Sequence, residues 1–420
     1  MNQSFNPNSQ SLNDWLSYLE SIHPQEIEMG LERVRDVARR LNLLNELNNV
    51  ILVGGTNGKG STCAFIEQLI LAAGYTTGVF SSPHLIRYNE RVRINHQELP
   101  DKAHIEAFRA IETARGDIAL TYFEVNTLTA LYLMKKANVD YVILEVGLGG
   151  RLDSTNIVDA DLAVITSIDL DHQGWLGDTR EQVAFEKAGI FRANQRVICG
   201  EPNPPQPLLD KARELACNIS FKGHDFGFNT HHDKWQFTGV KSRYDDLAYT
   251  KLPMTNAATA LAAFEALGLE LPEAKIKAVI KETSLKGRLQ QVAKEPAVYL
   301  DVAHNPEAGR YLAAWIARQR ADKVHVVCAM LGDKDSASTL SVIKPLADSW
   351  YLAGLDCDRG ASAPQLFESL GLETAHQFEH VISALDAAKK EANKDDLIVV
   401  FGSFFTVAAI LENNNLVELT

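Results

Sequence analysis

The segment VILVGGTNGKGSTCAFIEQLILAAG, from Val50 to Gly74, constrains the chain more than any other. An apolar run ends in a loop of glycines and a lysine, and that loop opens a helical pattern. Small residues in succession after a strand let backbone N–H groups point at a phosphate, and the helix N-terminus adds a favourable field. Lys59 would then reach the β- and γ-phosphates of a nucleotide. The strict pattern G-x-x-x-x-G-K-[ST] fails at two places: Val53 stands where the first glycine belongs, and Gly60 where the hydroxyl belongs. Ser61 or Thr62 can supply the Mg²⁺ hydroxyl one step later.

The same strand-then-helix rhythm continues. YVILEVG and LAVITSI read as further buried strands, and apolar runs alternating with amphipathic helices imply a parallel sheet covered on both faces. After about residue 290 the rhythm restarts with AVYLDVAH, KVHVVCAML, SWYLAG and DLIVVFG. This predicts two α/β domains: an N-terminal P-loop ATPase-type, mostly parallel sheet flanked by helices, and a smaller, Rossmann-like C-terminal domain. The join is expected in KETSLKGRLQ, residues 281–290, which is polar and contains Gly287. By length alone, a chain of 420 residues suggests two domains, with three as the alternative.

Composition narrows the partners. A net charge of −13 argues against nucleic acid or an anionic membrane, so an anionic substrate must be held by local positive charge. No apolar run approaches the ~18 residues of a membrane span, and the N-terminus shows neither the basic nor the apolar region of a signal peptide. The five cysteines are widely spaced with no C-x-x-C, so a reducing cytoplasmic setting is expected.

Ligand crevices of open α/β sheets lie at the carboxyl ends of the strands, and several reactive side chains fall there. Glu145 ends an otherwise apolar strand beside the phosphate loop, where its natural task is Mg²⁺; the alternative is a strand-end salt bridge. Asp169, Asp171 and His172 follow the next strand, and His172 is a candidate metal ligand against a structural role. Ser82 follows a short strand. Arg87, Arg91 and Arg93 alternate and read as a solvated strand face. Thr121 and Glu124 fit a capping box, which makes Tyr122 and Phe123 staple or core residues. In the second domain Asn305 and Pro306 have a structural explanation as N-cap and first helical residue. Asp301 and His304 at the strand end do not, and Arg288 in the linker could reach a phosphate.

The motifs GTNGKGS, SSPHL, TYFE, ILEVGLGGRLDSTN, LDH with WLG, EKAGIF, NAATAL, GRLQ, DVAHNP and FGSFFTV occur in this order along nearly the whole chain. Together they resemble the folylpolyglutamate synthase family, more closely its bacterial bifunctional dihydrofolate synthase/folylpolyglutamate synthase members, within the Mur ligase-like superfamily. The superfamily's GTNGK loop explains the broken phosphate-loop pattern. One departure is Gln173-Gly174, where the family often has Thr-Asp. The resemblance implies an ATP- and pterin-binding central domain over residues 1–285 and a glutamate-ligase domain over 286–420. It implies ATP phosphates at Thr56, Asn57, Gly58, Lys59, Gly60 and Ser61, with Asn256, Arg288 and Asp301 completing the nucleotide site at the domain junction. It implies a pair of Mg²⁺ ions held by Ser82, Glu145 and His172, and a carbamylated Lys187 helping to organise the metal. It further implies pterin contacts from Glu26, Ile27, Glu28, Met29, Thr121, Tyr122, Phe123, Glu124, Leu152, Asp153 and Ser154. His304 is the candidate for glutamate recognition. Lys187 by itself reads as a surface lysine whose stem covers an apolar helical face.

The implied reaction is ATP-dependent addition of L-glutamate to dihydropteroate, giving dihydrofolate, and to the glutamate tail of reduced folates, through an acyl phosphate. The implied enzyme is a cytoplasmic monomer with Lys59, Lys187 and His304 as its catalytic residues. Two rivals make different demands. A Mur-type ligase acting on a UDP-muramoyl peptide calls for a further N-terminal domain of roughly 100 residues, whereas the first strand here begins near residue 50. A GTPase switch finds D-x-x-G at residues 171–174 and N-K-x-D at 393–396, but the second precedes a strand rather than following one.

Overall fold

A computed structural model describes residues 6–23 and 28–413, organised as two compact units, Met1–Thr283 and Ser284–Thr420. Both are α/β, as the rhythm of apolar runs predicts. The first is built on eight strands: β1 (Val50–Gly54), β2 (Thr77–Phe80), β3 (Val92–Ile94), β4 (Gln97–Glu98), β5 (Tyr141–Glu145), β6 (Leu162–Ile165), β7 (Arg196–Cys199) and β8 (Asn218–Phe221). Their order across the sheet is β4-β3-β2-β5-β1-β6-β7-β8. From β2 to β8 every neighbour is parallel; β3 and β4 form an antiparallel edge. β1, β2, β5 and β6 are buried at every residue, which is why they read as unbroken apolar runs rather than alternating ones.

The helix Lys59–Ala72 returns from β1 to the sheet and packs against the helix Met254–Ala266, which is rich in alanine and buried over most of its length. The capping boxes expected at Thr121–Glu124 and Thr179–Gln182 are both formed, and start the helices Tyr122–Ala137 and Arg180–Ala188. A separate antiparallel sheet was not anticipated: β9 (Gly227–His231), β10 (Lys234–Thr238) and β11 (Arg243–Ala248). Its signature is the period-2 burial of KWQFT, in which Trp235 and Phe237 point inward.

The second unit carries β12 (Gln290–Lys294), β13 (Ala297–Asp301), β14 (Val324–Cys328), β15 (Ser349–Ala353), β16 (His376–Phe378) and β17 (Leu397–Phe401), in the order β12-β13-β17-β14-β15-β16. All pairs are parallel except β12 with β13. Asn305 caps the helix Pro306–Ile316 by accepting the Ala308 N–H at 3.0 Å, with Pro306 at its first position. Among the described residues no helix is long and apolar enough to cross a membrane.

The N-terminal helix Leu12–Ser21 is anchored to the first unit by Trp15, fully buried with its ring 5.8 Å from that of Phe108. Trp15→Ala is expected to cost about 3–5 kcal/mol, the range for emptying an aromatic core site. Urea unfolding followed by circular dichroism reads this as a lowered midpoint; an unchanged midpoint would mean that the helix contributes nothing to the unit's stability.

Candidate functional site

Register sets the site. β1 is flanked by β5 and β6, with Val53 opposite Glu145 and Gly54 opposite Ile165. β2 pairs with β5, so the carboxyl ends of β2, β5, β1 and β6 stand side by side and carry Ser82, Glu145, the glycine loop and the His172 loop. Glu145 is only 6% exposed, and its Oε2 accepts the Ser82 N–H at 3.2 Å. The glycine loop is braced against the end of β6. The Thr56 N–H donates to Ser167 O at 2.9 Å and the Asn57 N–H to Ser167 Oγ at 3.1 Å. Thr56 Oγ1 donates to Asp169 O at 2.9 Å and accepts the Asp169 N–H at 3.0 Å.

These bonds redistribute the expected phosphate contacts. The N–H groups of Thr56 and Asn57 hold the loop in place, so the donors suited to an anion are those of the first helical turn, Lys59 to Ser61, which lack intrahelical acceptors. Lys59 Nζ lies on its own loop, donating to Gly55 O at 2.9 Å and Thr56 O at 3.1 Å. The Asn256 side chain covers the loop from the helix Met254–Ala266: a Cβ on Gly58 would come within 2.4 Å of its Oδ1.

Beside the strand ends lies a cavity of about 330 Å³ lined by Glu28, Met29, Gly30, Ser82, Pro83, Arg91, Thr121, Tyr122, Phe123, Glu124, Gly147, Leu148, Leu152, Asp153, Ser154 and His172. It unites Ser82 and His172 with every expected pterin residue that lies within the described part of the chain; Glu26 and Ile27 lie outside it. Phe123 is therefore a wall of the cavity, with its ring 5.8 Å from Phe80, and Tyr122 is a wall too, so the staple reading is replaced for both. Asp153 accepts the Leu148 N–H at 2.8 Å and the Thr155 N–H and hydroxyl at 2.9 and 2.6 Å. Burial nevertheless pushes its carboxyl above the usual range. Glu124 Oε2 accepts the Thr121 N–H at 2.7 Å and Arg33 Nε at 3.0 Å. Arg33, which the sequence did not single out, also binds the Glu28 carboxylate, and so ties that segment to the cavity wall.

Two readings of charged residues change. The three arginines do not form a solvated face. Only Arg87 is exposed, near Asp101; Arg93 pairs with buried Glu67 at 3.3 Å. Arg91 is 7% exposed, lines the cavity, donates from Nε to His84 Nδ1 at 2.8 Å and lies over Tyr122 with its Cζ 5.5 Å from the ring centre. Burial, assisted by Arg91, lowers the His84 pKa to about 4. Tyr122, one of the two aromatic neighbours of Arg91, is distant in sequence, which is why the burial of Arg91 could not be read there. Lys187 is the second case: it is 3% exposed, so the surface reading fails. Its helix ends against the turn after β5, where the Arg151 N–H donates to Glu186 O at 2.8 Å.

In the second unit Asp301 also has a structural role. It accepts the Leu289 N–H at 2.9 Å and the Ala303 N–H at 2.8 Å, which fixes the loop carrying Arg288 to the end of β13. Burial raises its pKa, opposed by Arg288. Arg288 and His304 converge on one ring, Phe404, at 4.9 and 6.4 Å. His304 Nδ1 is 2.8 Å from Val302 O.

A phosphate loop on a parallel sheet, a cavity at neighbouring strand ends and a second α/β unit are consistent with a Mur ligase-like fold, and the family models agree. Residues 53–268 match the Mur ligase middle domain and residues 287–404 the Mur ligase, glutamate ligase domain. A dihydrofolate synthase/folylpolyglutamate synthase of Escherichia coli (strain K12) is 50% identical over 402 residues, 96% of this chain and 95% of that protein. The chain belongs to the dihydrofolate synthase/folylpolyglutamate synthase family. The structure of E. coli FolC in complex with DHPP and ADP matches with a TM-score of 0.93 at 49% identity, covering 97% of this chain and 98% of that one. A bifunctional folylpolyglutamate synthase/dihydrofolate synthase with Mn, AMPPNP and L-glutamate bound matches with a TM-score of 0.92 at 46% identity, covering 99% and 100%.

Gly55 is the residue on which the loop turns. Its φ of +146° disfavours a side chain, and an added Cβ would fall 1.8 Å from Thr166 Oγ1. Gly55→Ala is expected to weaken adenine nucleotide binding about tenfold or more, since strain of this kind costs roughly 1–3 kcal/mol. Isothermal calorimetry on folded protein measures it, and wild-type affinity would show that the loop can re-form away from β6.

Proposed function

We propose that this chain ligates L-glutamate, with ATP, to dihydropteroate and to the glutamate tail of reduced folates. The observation that carries the reading is one cavity of the first unit, which joins an aromatic wall and buried Asp153 to Ser82 and His172 beside the phosphate loop. An aromatic slot with a buried carboxyl suits a flat heterocycle bearing N–H donors. The strand-end donors suit a phosphoryl group.

The substrate carboxylate attacks the γ-phosphorus and ADP leaves; the glutamate amine then attacks the acyl carbon, phosphate leaves, and the proton lost by the amine passes to phosphate or solvent. Lys59 exchanges its loop carbonyls for phosphate oxygens and steadies the developing charge, since positioning and electrostatics dominate this chemistry. The first-turn N–H groups hold the remaining oxygens, and Asn256 serves the nucleotide from the neighbouring helix. From the second unit, Arg288 and Asp301 are assigned to the nucleotide and His304 to glutamate.

Ser82, Glu145 and His172 are the residues assigned to Mg²⁺. Among the described residues no three His, Cys, Asp or Glu side chains stand close enough to hold an ion alone. One carboxylate, a hydroxyl and an imidazole fit a cation that takes most of its ligands from phosphates and water. When bound, Mg²⁺ would neutralise phosphate charge. Buried Lys187 is assigned a carbamate: its neutral amine adds to CO₂, a proton leaves to solvent, and an anion replaces a cation that would repel the metal. A monomer in a cytoplasmic setting completes the reading; the five free thiols fit that reducing compartment.

Purified protein supplied with ATP, Mg²⁺ and labelled glutamate should incorporate label with dihydropteroate and, separately, with tetrahydrofolate. Incorporation with neither acceptor overturns the reading, and a preference for GTP would favour a switch. Lys59→Ala should lower turnover by about 10²-fold or more, the typical loss for a group that stabilises the transition state; a near-normal kcat in a folded variant removes Lys59 from the chemistry. Lys187→Ala should lose most activity, with partial rescue by acetate, and should lack the carbamate carbon signal that ¹³CO₂ gives the wild type. Full activity without that signal dismisses the modification.

A further inference from the structure

Arg91 is a cation that the cavity does not neutralise. It is more than nine-tenths buried and lines the cavity. Among the described residues its side chain has one hydrogen-bond partner, His84 Nδ1 at 2.8 Å, and two aromatic neighbours, Tyr88 and Tyr122, at 5.9 and 5.5 Å from its Cζ. The carboxylates of the same cavity are committed elsewhere. Glu28 is held by His23 and Arg33, Glu124 by Arg33 and Thr121, and Asp153 by Leu148 and Thr155. A buried guanidinium without an anion is costly, and its fork of donors matches a carboxylate.

Position indicates which carboxylate. The Arg91 carbonyl accepts the Ser81 N–H at 2.9 Å, one residue from Ser82. The Ser82 and His172 end of the cavity takes the carboxylate that is phosphorylated. Arg91 is a separate positive group close by, fixed by His84 and the tyrosines. A glutamate tail brings a second carboxylate that does not react; dihydropteroate does not. We infer that Arg91 binds the non-reacting carboxylate of the acceptor's terminal glutamate, and so supports chain extension more than the first glutamate addition. This inference rests on the function proposed above.

The test compares wild type and Arg91→Gln with dihydropteroate, with tetrahydropteroylglutamate, and with the latter amidated at the carboxylate that is not extended. In Arg91→Gln, kcat/KM for the glutamate-bearing acceptor should fall 10- to 100-fold further than that for dihydropteroate, the range for a charge-assisted hydrogen bond. The wild type should disfavour the amidated acceptor by a similar factor, and the variant should not distinguish the two tails. Equal losses with both acceptors, or no loss, overturn the inference. Should Arg91→Gln fail to fold, the wild type decides alone: equal kcat/KM for the acid and the amide overturns it. A wild type inactive with every acceptor overturns the function itself, a distinguishable result.

Discussion

The parallel pairing of β2, β5, β1 and β6 is the constraint on which the first unit depends. With Val53 opposite Glu145 and Gly54 opposite Ile165, the four strands end at one level. A slip of one residue along β5 would turn Glu145 to the opposite face of the sheet, where the helices bury apolar side chains. The unbroken apolar character of these strands sets their depth, and depth sets which residues emerge at the crevice. Chemistry thus follows from where the buried strands stop: Glu145 is the last residue of β5, the glycine loop leaves the end of β1, and Ser82 lies two residues beyond β2.

Much of this was legible in the sequence because it is local. Strand, loop and helix at residues 50–72, the caps at Thr121, Thr179 and Asn305, and the strand-end position of Glu145 all depend on neighbours a few residues away. What was missed depends on distant partners. Arg91 looks like a surface residue until Tyr122 and His84 close around it, and Lys187 until the turn after β5 covers its helix. Arg33 carries no motif, and its importance arises from contacts to Glu28 and Glu124. Asp301 shows the same dependence: its place at a strand end was legible, while the two backbone N–H groups that it binds, one of them twelve residues away, were not. The motif resemblance supplied the cavity's membership, which periodicity could not.

The cavity is a polar object enclosed by an apolar one. Three carboxylates and a guanidinium sit among Tyr122, Phe123, Leu148 and Leu152, and burial raises the cost of each unsatisfied group. The capping box at Thr121 serves two purposes. It satisfies the helix N-terminus and fixes Glu124 in the wall, so the residues that shape the pocket also start the helix behind it.

Thr56 has a mechanical meaning. Its hydroxyl both gives and receives a hydrogen bond with the backbone of Asp169, while its own N–H is bound to Ser167. The glycine loop and the segment leading to His172 are therefore riveted at two adjacent points. Neither can be displaced without shearing those bonds, so the phosphate cradle and the segment leading to the imidazole keep step, and a single threonine couples them.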